Sequence, residues 1–178
     1  VPLGEPSREV AWLTLLDDDA LSESMWGQIC SPGGVLRKRL LLTVNPKLIR
    51  EARVAYCIGH SPYCIRTKQT VKTAENAPHG RALVVTVNDV EILRAPGLPY
   101  ITEGWHEIPI ALAVLKEGEN TITFTFAKAE DEEESYYAYF AIDTTTTDSR
   151  RSSCSHDGGK TFTFESLRPG SEPKPLWQ

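Results

Sequence analysis

Apolar and polar residues alternate with a period of two along much of this chain, the spacing that sends successive side chains to opposite faces of a strand. Residues 35–44 set Leu36, Leu40, Leu42 and Val44 against Arg37, Arg39 and Thr43, and the run stops at Asn45-Pro46. Residues 52–58 put Val54, Tyr56 and Ile58 on one face. Residues 81–87 turn Leu83, Val85 and Val87 inward, and Asn88-Asp89 then predicts a tight turn into Val90-Glu91-Ile92. The cleanest case is 121–126, with Ile122, Phe124 and Phe126 facing one way and Thr121, Thr123 and Thr125 the other. An aromatic run over 136–142 and a hairpin over 153–164 follow. Six or seven such runs with little helical periodicity between them predict an all-β fold, an antiparallel β-sandwich.

Helix signals are poor. Residues 110–116 suit one or two turns before Glu117-Gly118-Glu119-Asn120 ends them, 20–26 suits a short helix, and 10–16 suits a strand. The acidic stretch 130–134 reads as a solvated loop. A single domain over 1–167 is expected, with the Pro-rich 168–178 as a linker or tail. At 178 residues, the chain is long enough for one substantial core.

Composition narrows the functional classes. Hydrophobic content of 40% and charged content of 24% are ordinary globular values. A net charge of −5 argues against a nucleic-acid partner, whose binders normally carry a basic face. The densest basic cluster, Arg37-Lys38-Arg39, sits inside a strand pattern and reads as a solvated strand face rather than a phosphate site. The longest aliphatic run, Leu40-Leu41-Leu42, is far short of a membrane span. The chain starts Val-Pro-Leu with no signal peptide ahead of it, which reads as a mature or excised fragment. Nothing in the pattern demands more than a monomer.

Four cysteines are present: Cys30, Cys57, Cys64 and Cys154. Of the three possible connectivities, the favoured one closes the Gly- and Ser-Pro-containing segment between Cys57 and Cys64 and pairs Cys30 with Cys154. Such bridges would place the protein in an oxidising, extracellular or cell-surface setting.

Two stretches go beyond generic strand patterning. From Ala82 to Phe126 the chain reads VTVNDVEI, then GWHEIPI, then LKEGENTITFTF. This series resembles the galactose-binding-like jelly roll of carbohydrate-binding modules and of accessory domains in glycoside hydrolases and polysaccharide lyases. In local terms, Gly118 supplies a positive φ and Asn120 bonds back to the turn. The second stretch, Ser155-His156-Asp157-Gly158-Gly159-Lys160-Thr161-Phe162, resembles the Asp box, Ser-x-Asp-x-Gly-x-Thr-aromatic. There the Ser155 and Asp157 side chains are expected to bond turn amides, Gly159 to take a left-handed conformation, and Phe162 to pack beneath. One copy cannot build the multi-bladed propeller of sialidases, where this box recurs. It does point to a secreted, glycan-related context.

The resemblance implies a non-catalytic module that binds a polysaccharide or oligosaccharide and serves other domains of a larger secreted or surface protein. The alternative is a structural or protein-interaction domain of a multidomain surface protein. No nucleophile elbow, paired-histidine zinc motif or phosphate-binding glycine loop is present, so no enzyme activity is expected. The third reading, a small catalytic jelly roll such as a lyase or hydrolase, requires a cleft of converging acid, base or metal groups that the sequence does not display. Sugar rings stack on indole and phenol faces while fixed polar groups take the hydroxyls. Candidate ligand residues are Trp26, Tyr63, Tyr100, Trp105 and Tyr137, with Arg94 as a donor to hydroxyls or a uronate carboxylate. Trp105 lies in an alternating pattern, where an indole is more commonly core than platform. The resemblance also implies a structural calcium ion, held here by Asp17 and Asp19 from an N-terminal acidic turn and Asp143 after the YYAYFAI run.

Overall fold

The structure, a computed structural model, describes residues 11, 13–15, 28–30, 33–61, 63–64, 69–70, 82–96, 104–126, 137–140, 152–155 and 157–163; of 28–30, 59–61, 63–64, 69–70, 96 and 137–139 it describes the backbone alone. All regular structure among them is strand, apart from two single 3-10 turns at Pro46–Leu48 and Leu112–Val114. The second of these is the short helical turn predicted within 110–116.

The larger sheet has five strands. Strand β2 (Val35–Leu42) lies between β11 (Ser153–Ser155) and β9 (Gly118–Phe126), and β9 is followed by β6 (Ala82–Val87) and β7 (Val90–Pro96). Every pairing is antiparallel. A second sheet of four strands runs β1 (Gln28–Cys30), β10 (Tyr137–Phe140), β3 (Ala52–Ser61), β8 (Gly104–Ile110), again antiparallel throughout. The short β4 (Tyr63–Cys64) and β5 (Gln69–Thr70) pair with each other. The all-β, antiparallel expectation therefore holds.

One core draws on both main sheets. Leu36, Leu83, Val85, Val87, Phe124, Phe126 and Cys154 come from the five-stranded sheet, and Val54, Tyr56, Ile58, Ile108 and Phe140 from the four-stranded one. Aromatic rings join the two: Tyr56 meets Phe124 edge-on at 5.3 Å between centroids, and Phe124 meets Phe140 at 4.8 Å. The predicted inward positions in β3, β6 and β9 are all buried. In β2 the alternation continues only to Leu42; Val44 falls beyond the strand and is exposed. Lys38 takes an inward position in β2 and is 8% exposed, so the basic cluster splits, with Arg37 and Arg39 on the outer side.

Two asparagines tie neighbouring turns together. Asn88 and Asp89 both have positive φ, 49° and 66°, the hairpin conformation their types favour. The Asn88 amide donates to the Val114 carbonyl (2.7 Å) and to Asn120 Oδ1 (2.8 Å), while its Oδ1 accepts from the Thr121 amide (3.0 Å). Asn120, 3% exposed, accepts from the Lys116 amide and donates to the Lys116 and Gly118 carbonyls. Gly118 has a φ of 100°. The expected return bond from Asn120 is thus present, within a wider network.

The cysteine pairing is corrected. Cys57 and Cys154 are both thiols, and no disulfide is seen among the described residues. Gly59 and Ser61 do not turn the chain back toward Cys57. They continue β3 as a strand, pairing with Tyr139 and Tyr137 of β10. Cys154 sits in the core opposite Leu36 of the five-stranded sheet, whereas Cys30 belongs to the edge strand of the other sheet.

Candidate functional site

Strand β8 lies at one edge of the four-stranded sheet and pairs only with β3 among the described strands. Its alternation buries Ile108 and turns Trp105, Glu107 and Pro109 away from the core. Trp105 is 74% exposed, although its strand pattern would more commonly place an indole inside. Cys57 stands opposite it, Ala55 opposite Glu107, and Arg53 opposite Pro109. The small or short neighbours Cys57 and Ala55 in β3 leave the indole uncovered.

The polar end of this face is organised. Arg53 Nη1 donates to Glu107 Oε2 at 2.8 Å, and Arg53 Nη2 lies 3.7 Å from Glu51 Oε1. The hydrogen bond it donates to Glu107, then the charge of Glu51, raises the Arg53 pKa above its ordinary value. Arg50, Glu51, Arg53, Glu107, Pro109 and Leu112 line a shallow concavity of ≈ 390 Å³, open to solvent. Glu107 follows Trp105 on the same face at about 7 Å, the two-residue repeat of a strand.

The other named residues do not converge here. Arg94 belongs to β7 in the five-stranded sheet, where its Nε and Nη2 are taken up by Glu91 (2.9 Å to Oε1, 2.6 Å to Oε2). Tyr137 pairs with Ser61 in β10, and Tyr63 pairs with Thr70 in β4; their side chains lie outside the described residues. Trp26, Tyr100, Asp17, Asp19 and Asp143 likewise lie outside the described residues. Among the described residues no cluster of His, Cys, Asp and Glu is arranged to hold a metal ion.

The Asp-box-like turn has the predicted bonding. Ser155 Oγ donates to Asp157 Oδ1 (2.7 Å) and accepts from the Gly159 amide (2.7 Å). Asp157 Oδ1 accepts the Lys160 and Thr161 amides, and Oδ2 accepts the Thr161 hydroxyl (2.6 Å). These bonds, led by that of the Thr161 hydroxyl, hold the Asp157 carboxyl far below the usual carboxylate range. Gly158 and Gly159 both have positive φ (72° and 93°), and Cys154 exchanges backbone hydrogen bonds with Thr163 to close the hairpin. Phe162 packs under the Arg37 guanidinium, 3.5 Å from carbon to ring centroid. That contact joins residues far apart in the chain, and sequence spacing carries no signal for it.

Compared with known proteins, the chain matches no protein-family model and no curated protein.

Proposed function

We propose that this chain is a non-catalytic carbohydrate-binding domain of galactose-binding-like, jelly-roll type, a module of a larger secreted or surface protein. The observation that carries the reading is Trp105: a 74%-exposed indole on a strand, with an ordered Arg53–Glu107 pair on the same face. An exposed indole is an apolar plane for the face of a sugar ring, and ionic groups farther along the same face suit hydroxyls. A core shared by two antiparallel sheets supports the sandwich. The turns at Asn88 and Asn120 support the jelly-roll resemblance.

Affinity electrophoresis on neutral plant, algal and microbial polysaccharides tests the proposal, comparing the wild type with Trp105→Ala. Retardation on at least one polymer, lost in Trp105→Ala with an unchanged circular dichroism spectrum, is the expected result. No retardation on any polymer, or retardation indifferent to Trp105, overturns it. A second reading has one observation in its favour: β8 is an edge strand, and an edge bearing an exposed indole also suits a neighbouring protein domain.

A further inference from the structure

The outer side of the five-stranded sheet carries a second arrangement, distinct from Trp105. Arg37 stands between Ser153 of β11 and Thr123 of β9. Its Nε donates to Ser153 Oγ at 3.1 Å, and its plane lies over the Phe162 ring. A ring stack and one hydrogen bond together fix a side chain that would otherwise sample many rotamers. With Nε engaged, the two terminal nitrogens remain as an end-on fork of the kind that takes two oxygens of one anion.

Among the described residues, the nearby carboxylates are taken up by other arginines. Glu91 is held by Arg94 at 2.6 Å, and Glu119 lies 3.9 Å from Arg39. The register neighbours of Arg37 are hydroxyl residues, with Thr123 hydrogen-bonded to Thr86 at 2.6 Å. Arg37 makes no ion pair among the described residues; Arg39 follows it two positions along the same side, with Glu119 3.9 Å from its guanidinium. Burial, then the charge of Arg39, lowers the Arg37 pKa, against the opposing pull of Glu119. Arginine nevertheless stays charged at physiological pH. The Asp-box-like hairpin thereby gains a role its own hydrogen bonds do not explain: it delivers Phe162 to the underside of a cation.

The geometry points to Arg37, seated on Phe162 and Ser153, as an anion-binding site for the oxyanion groups of an acidic polysaccharide, carboxylate or sulfate ester. The site does not depend on Trp105, which belongs to the other sheet. With a net charge of −5, the protein as a whole repels polyanions, so any retention on them has to be local.

Affinity electrophoresis of the full chain on polygalacturonate, dextran sulfate and neutral dextran tests the site. Wild type is expected to be retarded by at least one of the acidic polymers and not by neutral dextran; the polymer that retards it identifies carboxylate or sulfate as the anion. Arg37→Gln is expected to weaken that binding about tenfold or more, the scale of one charge-assisted hydrogen bond. Arg37→Lys, which keeps the charge and loses the fork, is expected to weaken it nearly as much. Phe162→Leu weakens it severalfold with Arg37 still present. Melting temperatures of all variants establish that they are folded. Absence of retardation on both acidic polymers overturns the inference, as does binding that is equal in Arg37→Gln and wild type. Wild-type binding by Arg37→Lys would reduce the site to a diffuse charge and also overturn it. Loss of neutral-polymer binding in Trp105→Ala is a separate result, so either reading can fail alone.

Discussion

Asn120→Ala is the most informative single substitution in this fold. The side chain is 3% exposed and makes four hydrogen bonds: it accepts from Asn88 Nδ2 (2.8 Å) and the Lys116 amide (3.0 Å), and donates to the carbonyls of Lys116 (2.7 Å) and Gly118 (3.0 Å). At about 1 kcal/mol net per bond, the four set an upper value near 4 kcal/mol. Water admitted to the vacated space recovers part of it, so the expected loss is about 3 kcal/mol. For a chain of this length that corresponds to a fall in Tm of roughly 6–12 °C. Urea unfolding followed by far-ultraviolet circular dichroism measures the loss as a shift in midpoint at unchanged slope. A double-mutant cycle with Asn88→Ala adds a sharper test. The two side chains share a bond and brace the same turns, so the double variant should lose about 1 kcal/mol less than the sum of the singles. A loss below about 1 kcal/mol for Asn120→Ala, or strict additivity in the cycle, would refute the reasoning that these turns are held by one network.

Other expectations follow from the same contacts. Asp157 has a depressed pKa when folded, so its stabilising contribution is present above the ordinary carboxylate range and is lost as pH falls below that range toward its folded pKa. Asp157→Asn should therefore melt below wild type at neutral pH, with the gap narrowing as the solution is acidified; a gap independent of pH would count against the turn bonding. Phe140→Ala, removing a ring 2% exposed that touches both Tyr56 and Phe124, should cost about 3–5 kcal/mol in urea unfolding. Trp105→Ala should change stability by no more than about 0.5 kcal/mol, since its indole is outside the core. Thiol labelling with site assignment by mass spectrometry should modify Cys57 in the native protein and Cys154, 0% exposed, only after unfolding.

Much of the strand framework was legible because its faces differ sharply in polarity. Ile122, Phe124 and Phe126 alternate with threonines, so only one phase of β9 can enter a core. The Asp-box-like turn was legible in detail because its bonds run between residues at most four apart. Strand β8 was harder: Trp105 and Pro109 lie on one phase and Ile108 and Ile110 on the other, so hydrophobicity does not choose the inner face. Lys38 shows the same weakness within β2, where the strand period places a charged residue among Leu36 and Leu40. The cysteines misled because Gly59 and the Ser61-Pro62 pair read locally as a turn, whereas pairing with β10 carries β3 through Gly59 to Ser61. The Arg37 site was invisible for a related reason, since Ser153 is 116 positions away and only the sheet brings them together.

The position of β2 has a consequence for how the chain reaches its folded state. This strand is paired on one side with β9 and on the other with β11, both far downstream. During synthesis, Val35–Leu42 therefore waits as an unpaired strand until β9 emerges, and the Val35–Arg37 side stays open until Ser153–Ser155 arrives. Pairings of such long range are slow to form, on a scale of milliseconds to seconds. A product that stops short of Ser152 leaves that side of β2 with open backbone donors and acceptors, a template for a second copy of the same strand. The C-terminal hairpin is thus a guard against self-association as well as the support for Phe162.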